Sequence, residues 1–174
     1  SEEEKVLEEV KRAIDELKKE LEEVEERNKR VNDDIRRLTD EIRKENKTAN
    51  DRLRKLLEEG LDKKDLLKEI KEILERTERL SEETREKLKD VLRKTEKLIK
   101  EIKDKIDEIK KRADEKIKSK KLEEVRKEVK RLKDEVEKIL KDLRKRNKDL
   151  LEEDKRVLDR LRETNEKTLD DVRR

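Results

Sequence analysis

Apolar residues recur every three or four positions along almost the whole chain, as one buried face of an α-helix requires. In the first third this stripe runs through Val10, Leu17, Leu21 and Val24, and a polar Asn28 occupies its next position. Between Val10 and Asn28 the stripe takes five steps, and the average step of about 3.6 positions is the period of a straight α-helix and not that of a supercoiled heptad. The pattern therefore predicts long and nearly straight helices.

The first break in the stripe is marked by several independent signals. Gly60 suits the left-handed position that follows a helix end, and Asp62 is a good N-cap for the next helix. Leu61 is expected to fold back onto Leu56 and to staple onto Leu66. These signals predict a tight turn between two antiparallel helices.

A second break, near Lys118-Ser119-Lys120, is less clearly marked. Ser119 can cap a helix, and the five-residue step from Ile117 to Leu122 rotates the apolar face by about 140°. No Gly or Pro supports this break, so one fused helix from the first break to the end of the chain remains an alternative. With both breaks, we expect helices at about 2–58, 62–118 and 120–173. The predicted fold is all-α: one antiparallel, coiled-coil-like three-helix bundle that forms a single domain over residues 1–174.

Six polar residues interrupt the stripe in three pairs, and the members of each pair are five stripe steps apart: Asn28 and Asn46, Thr77 and Thr95, Asn147 and Asn165. An antiparallel turn at Gly60 brings Asn28 near Thr95 and Asn46 near Thr77. An offset of 119 residues between the first and third helices adds Asn147 to the first group and Asn165 to the second. A lone Asn on such a stripe usually faces water, but agreement among three helices favours two buried hydrogen-bonded layers. Their predicted role is structural, because a polar layer penalises slipped registers.

Other polar residues near the stripe are less clear. Asn32 and Asn50 have the same spacing as Asn28 and Asn46 and could extend the two layers. Thr39 and Thr84 are expected to face each other across the first two helices. Asp154 lies on the stripe of the third helix, and we expect it at the edge of the bundle beside a basic residue.

The composition agrees with helices and excludes most kinds of chemistry. Hydrophobic residues make up 28% of the chain and charged residues 63%, but 56 basic residues nearly balance 53 acidic ones, unlike most disordered chains. The chain has no His, Cys, Met or aromatic residue, so it lacks the usual nucleophile–base pairs, zinc ligands and base-stacking platforms. We therefore expect no enzyme activity, no catalytic, cofactor-binding or metal-binding residue, and no cofactor.

The charge pattern also argues against nucleic acid and membrane partners. Basic runs such as Arg144-Lys145-Arg146 are broken by acidic residues, and no apolar run approaches the length that a membrane span requires. The segment Ser1-Glu2-Glu3-Glu4 is acidic and helical, the reverse of a signal peptide, so we expect a soluble chain with no targeting signal. Its cellular location is left open.

The regular repeats of Asn and Thr, the aliphatic stripe and the surface of Glu, Lys and Arg resemble computationally designed untwisted three-helix bundles with buried hydrogen-bond networks. Spectrin-type repeats also have three long helices, but they carry core aromatic residues that this chain lacks. The resemblance implies a synthetic, recombinantly expressed scaffold. We expect a thermostable monomer that requires no partner. The alternative is a module that self-associates or binds a partner helix.

Overall fold

The computed structural model describes all 174 residues, Ser1–Arg174, and consists of three long α-helices. Helix α1 spans Glu2–Glu58, α2 spans Lys63–Lys116 and α3 spans Lys121–Arg173. There is no strand, and the helices pack as an all-α three-helix bundle, which confirms the predicted fold class. Both breaks are present, so the alternative of a fused second and third helix is wrong.

Helix α1 has the predicted bounds and α3 ends at the predicted residue, whereas the other three helix ends differ from the predicted ones by one or two residues. Helix α2 begins one residue after Asp62, because Asp62 acts as its N-cap and its Oδ1 accepts a hydrogen bond from the Lys64 amide at 3.1 Å. The same helix ends at Lys116, and α3 begins at Lys121. Residues between them form the second loop, in which Ser119 Oγ accepts from the Lys121 amide at 3.4 Å.

The first loop is a Schellman motif around Gly60. The Leu61 amide donates to the Leu56 carbonyl and the Gly60 amide donates to the Leu57 carbonyl, both at 3.2 Å. Gly60 has a φ of 81°, the left-handed conformation that the sequence predicted for it. The Leu61 side chain is 43% exposed, and its contacts with Leu56 and Leu66 stay a prediction.

The chain forms two compact units, each with a segment of all three helices. Unit 1 contains Ser1–Arg30 and Asp90–Arg146, and unit 2 contains Val31–Lys89 and Asn147–Arg174. The assignment of residues 1–174 to a single domain stays a prediction.

Unit 1 has one continuous aliphatic core. Valine, leucine and isoleucine side chains from all three helices fill it, among them Ile14, Ile106 and Leu132, each 1% exposed or less. Charged residues lie along its outer faces, where Arg112 Nε donates to Glu9 at 2.9 Å between α1 and α2. The burial of branched aliphatic side chains is the main source of stability in such a core.

The core of unit 2 is divided. One apolar cluster contains Leu53, Leu66, Ile70 and Val172, and a second contains Ile35, Leu88 and Leu150. On each helix, the residues between these two clusters include buried polar side chains. Unit 2 therefore holds eight of the ten buried polar side chains of the chain.

Candidate functional site

All six predicted layer residues are buried, with at most 4% of each exposed. Asn28 and Thr95 belong to unit 1, where they are the two buried polar residues. Asn147 belongs to unit 2, and the assembly of Asn28, Thr95 and Asn147 into one layer stays a prediction. Asn46, Thr77 and Asn165 all belong to unit 2.

Asn46 and Thr77 are part of a hydrogen-bonded group in unit 2 that draws on all three helices. Thr77 Oγ1 donates to Asn46 Oδ1 at 3.4 Å between α2 and α1. Asn50 Nδ2 donates to Asn165 Oδ1 at 2.8 Å, and Thr168 Oγ1 donates to Asn50 Oδ1 at 2.6 Å, between α1 and α3. We name these five residues, Asn46, Asn50, Thr77, Asn165 and Thr168, the Asn46 layer.

The pairing of α1 with α3 in unit 2 differs from the predicted offset of 119 residues. Side-chain hydrogen bonds between these helices join residues 114 to 118 positions apart. Asn165 therefore bonds the side chain of Asn50, which lies one helical turn beyond Asn46. Residues four positions apart share a helix face, so the stripe alone does not distinguish two registers that differ by one turn.

Thr168 was missed by the sequence analysis. It is 1% exposed and lies three residues after Asn165, at the next position of the same apolar stripe. Following the stripe from Asn165 through Thr168 to Val172 would have found it, because each of these positions faces the core.

Two buried polar atoms of asparagine side chains in unit 2, one of them in the Asn46 layer, have no hydrogen-bond partner. Asn165 is fully buried and its Nδ2 finds no acceptor, and Asn32 Oδ1, in the same unit, finds no donor. An unpaired buried polar atom costs about 1–3 kcal/mol, so these two atoms reduce the net stabilisation that the polar residues provide.

A second polar group in unit 2 surrounds Asp154. Thr39 Oγ1, on α1, is 3.0 Å from Asp154 Oδ1 on α3 and 2.9 Å from the carbonyl of Ile35. Thr84, on α2, is buried, and its hydroxyl donates to the Leu80 carbonyl at 2.9 Å. We name Thr39, Thr84 and Asp154 the Asp154 layer, because each helix supplies one member.

Asp154 does not have the basic partner that we expected from the sequence. No Arg or Lys forms a hydrogen bond or an ion pair with it, and its Oδ2 is buried with no donor. Burial raises the pKa of the Asp154 carboxyl, while the Thr39 hydrogen bond and the more distant Arg36 and Arg43 lower it by smaller amounts.

A small cavity of about 30 Å³ adjoins the Asp154 layer in unit 2. Its lining combines the hydroxyl residues Thr39, Thr77, Ser81 and Thr84 with Asp154 and with aliphatic side chains that include Ile42 and Leu158. A wider groove of about 300 Å³ lies between α1 and α2 near Ala49 and Ile73, and its other lining residues are all charged.

Ion pairs join neighbouring helices at the surface of unit 2. Arg162 on α3 holds Glu78 on α2 with two hydrogen bonds, one of which joins Arg162 Nη2 to Glu78 Oε2 at 2.6 Å. The hydrogen bond from Arg162 lowers the pKa of the Glu78 carboxyl. Arg54 joins Asp171 at 2.9 Å and also reaches Thr168 of the Asn46 layer at 3.3 Å. These pairs are partly exposed, so each contributes little to stability.

The chemistry available to these groups is hydrogen bonding. No group of three or more Asp or Glu side chains is placed to hold a metal ion, and the chain contains no His or Cys. None of the three helices has a stretch that is long and apolar enough to cross a membrane.

Neither a protein-family model nor a curated protein matches the chain. A solved structure described as a computationally designed three helix bundle is similar to it, with 21% sequence identity and a TM-score of 0.35. The match covers 98% of this chain and 85% of that chain. A TM-score of this size is too low to support a statement about the fold, which rests on the three helices of this chain and their buried Asn and Thr hydrogen bonds.

Proposed function

We propose that the chain is a designed structural scaffold with no biochemical activity, in which the buried polar layers select one register of the helices. The Asn46 layer carries this proposal, because hydrogen bonds join its side chains on α1 to partners on both α2 and α3. A slip of one helix by a turn would leave several of these groups buried without partners, at about 1–3 kcal/mol each. An aliphatic core would impose no such penalty.

A synthetic origin is part of this proposal. It is supported by the regular spacing of Asn and Thr in all three helices and by a core with no aromatic residue and no Met. Natural cores of this size usually use both to fill irregular spaces.

A monomeric state is also part of the proposal. Leu61 is the one large hydrophobic residue that is exposed, so little apolar surface is left for a second chain or a partner helix. Light scattering on the eluting peak of a size-exclusion column at micromolar concentration should give a mass near 21.3 kDa. Twice or three times that mass would support the alternative, a self-associating module.

Register selection is tested by removing the Asn46 layer. A variant with Leu at Asn46, Asn50 and Asn165 and Val at Thr77 and Thr168 should remain helical. Its amide NMR spectrum should show several sets of peaks, or its mass should rise, where the original chain gives one set and one mass. A single set of peaks and an unchanged mass in the variant would show that the layer is not needed to select the register.

A further inference from the structure

Asp154 has one carboxylate oxygen that the protein leaves without a donor. Its Oδ1 receives the Thr39 hydroxyl, whose single hydrogen is shared with the Ile35 carbonyl. Its Oδ2 is buried and has no donor among the protein groups. A buried carboxylate normally receives several hydrogen bonds, so Oδ2 has the capacity to accept from a further donor.

The cavity beside Asp154 is the right size for one small polar molecule. A water molecule needs roughly 10–15 Å³ of cavity and two to four polar partners. The cavity of about 30 Å³ meets the first requirement. Asp154 and four hydroxyl residues in its lining meet the second.

The hydroxyl groups have free capacity for such a molecule. The Thr84 hydroxyl donates its hydrogen to the Leu80 carbonyl, which leaves its oxygen able to accept. The Ser81 hydroxyl forms no hydrogen bond with another protein group, so it can both donate and accept. A single water can therefore donate to a carboxylate on α3 and to a hydroxyl on α2 while it accepts from another hydroxyl.

We propose that this cavity is a binding site for one ordered water molecule, which donates a hydrogen bond to Asp154 Oδ2 and joins α3 to the hydroxyl residues of α2. The water completes the Asp154 layer, in which no side-chain hydrogen bond of the protein links α2 to the other two helices. A monovalent cation is the competing occupant. Arg85 and Lys155 also line the cavity and disfavour a positive charge there.

A high-resolution crystal structure tests the site directly. We expect an ordered solvent peak at about 2.6–3.2 Å from Asp154 Oδ2, with a hydroxyl of Ser81 or Thr84 as a second partner. Crystals soaked in rubidium chloride should show no anomalous peak at this position. A rubidium peak there, or an Oδ2 that contacts only protein donors, would overturn the proposal.

NMR tests the same site in solution. A long-lived water should give nuclear Overhauser cross-peaks to the methyl groups of Leu158, which line the cavity. The cross-peaks should be lost in Asp154→Leu and weakened in Thr84→Val, whereas Asp149→Leu, an exposed aspartate on the same helix, should keep them. If Asp154→Leu fails to fold, Thr84→Val alone decides the question. Absence of the cross-peaks from the original chain, or unchanged cross-peaks in the decisive variant, would refute a bound water.

Discussion

A buried amide contributes to stability only as far as its atoms find partners, and two asparagines of α1 illustrate this. Asn50 uses both ends of its side chain, since Nδ2 donates to Asn165 and to the Asn46 carbonyl while Oδ1 accepts from Thr168. Asn32 is equally buried, at 4% exposed, but its Oδ1 has no donor. Substitution of Asn50 and substitution of Asn32 should therefore change the free energy of unfolding in opposite directions.

We predict that Asn50→Leu lowers the free energy of unfolding by about 1–3 kcal/mol, because it leaves the Asn165 amide and the Thr168 hydroxyl short of a partner. Asn32→Leu should be neutral or stabilising, because it removes a polar atom that has no donor. Urea denaturation of both variants measures the difference. Equal losses from the two substitutions would mean that hydrogen bonding does not distinguish these positions.

Asp154 should make stability depend on pH in the direction opposite to that of a salt-bridged aspartate. Burial raises its pKa in the folded state, so its protonated form favours folding. That contribution is fully present below the unfolded pKa, which is near 4, and is lost as the pH rises through the folded pKa.

The matching experiment compares Asp154→Asn with Asp149→Asn, which removes the same charge from an exposed position of α3. Asp154→Asn should raise the free energy of unfolding at pH 7, and the gain should shrink as the pH falls towards 4. Asp149→Asn should give only a small change in the free energy of unfolding at pH 7. A destabilising Asp154→Asn at pH 7 would mean that the charged carboxylate is better solvated than its burial indicates.

At the scale of the elements, the two loops are stabilised in different ways. The first loop depends on Gly60, whose φ of 81° is costly for any residue that has a Cβ atom. A Cβ atom placed there would meet no other atom within 4 Å, so the cost of a substitution is backbone strain alone.

Gly60→Ala should lower the free energy of unfolding by about 1–2 kcal/mol. Gly60→Asn should lose less, since Asn tolerates this conformation better, and equal losses in thermal melts would contradict the assignment to backbone strain.

The second loop depends on a partner that is distant in sequence. Glu3 Oε1, in the first turn of α1, accepts from the Ser119 amide at 3.1 Å, and the two residues are 116 positions apart. Hydrogen bonds from Ser119 lower the pKa of the Glu3 carboxyl. The contribution of this contact to stability is therefore present above the pKa that Glu3 has in the unfolded chain. It is lost as the pH falls through the pKa of Glu3 in the folded chain.

We predict that Glu3→Gln speeds amide hydrogen exchange at residues 119–123 above the ordinary pKa of a glutamate, with little effect on the rest of the chain. At acidic pH the original chain should exchange as fast as the variant in this loop. Glu2→Gln, an exposed neighbour on the same turn, serves as the control and should leave the loop unchanged. Identical exchange in the Glu3 and Glu2 variants at pH 7 would show that the Glu3 contact does not hold the loop.

These two loops also show why sequence predicts one feature and misses another. The determinants of the first loop, Gly60 and Asp62, are close together in the chain, so their residue types alone predict the turn. The Ser119 cap of the second loop is also a local signal. The acceptor of the Ser119 amide, Glu3, lies on another helix and leaves no local signal. In the same way, the stripe predicted six of the buried Asn and Thr residues but not Thr168. The register between α1 and α3 depends on packing between helices, and it joins Asn165 to Asn50.

At the scale of the whole molecule, buried polar residues are distributed unevenly. Eight of the ten belong to unit 2 and two to unit 1, so the two units differ in what their cores are made of. Aliphatic burial alone stabilises a compact helical core without strongly favouring one register, whereas each hydrogen-bonded layer adds specificity at some cost in stability.

The balance between stability and specificity can be measured in the Asn46 layer. Thr168→Val alone removes the donor of Asn50 Oδ1 and should lower the free energy of unfolding by about 1–3 kcal/mol. Replacing all five members of the layer with aliphatic residues of fitting volume should be neutral or stabilising, because no polar atom of the layer then remains to be desolvated. The five substitutions must therefore be strongly non-additive, as expected for residues in direct contact. Urea denaturation of the original chain, the single variant and the fivefold variant provides the measurement. A fivefold variant less stable than the original chain would show that the hydrogen bonds are a net source of stability and not only of specificity.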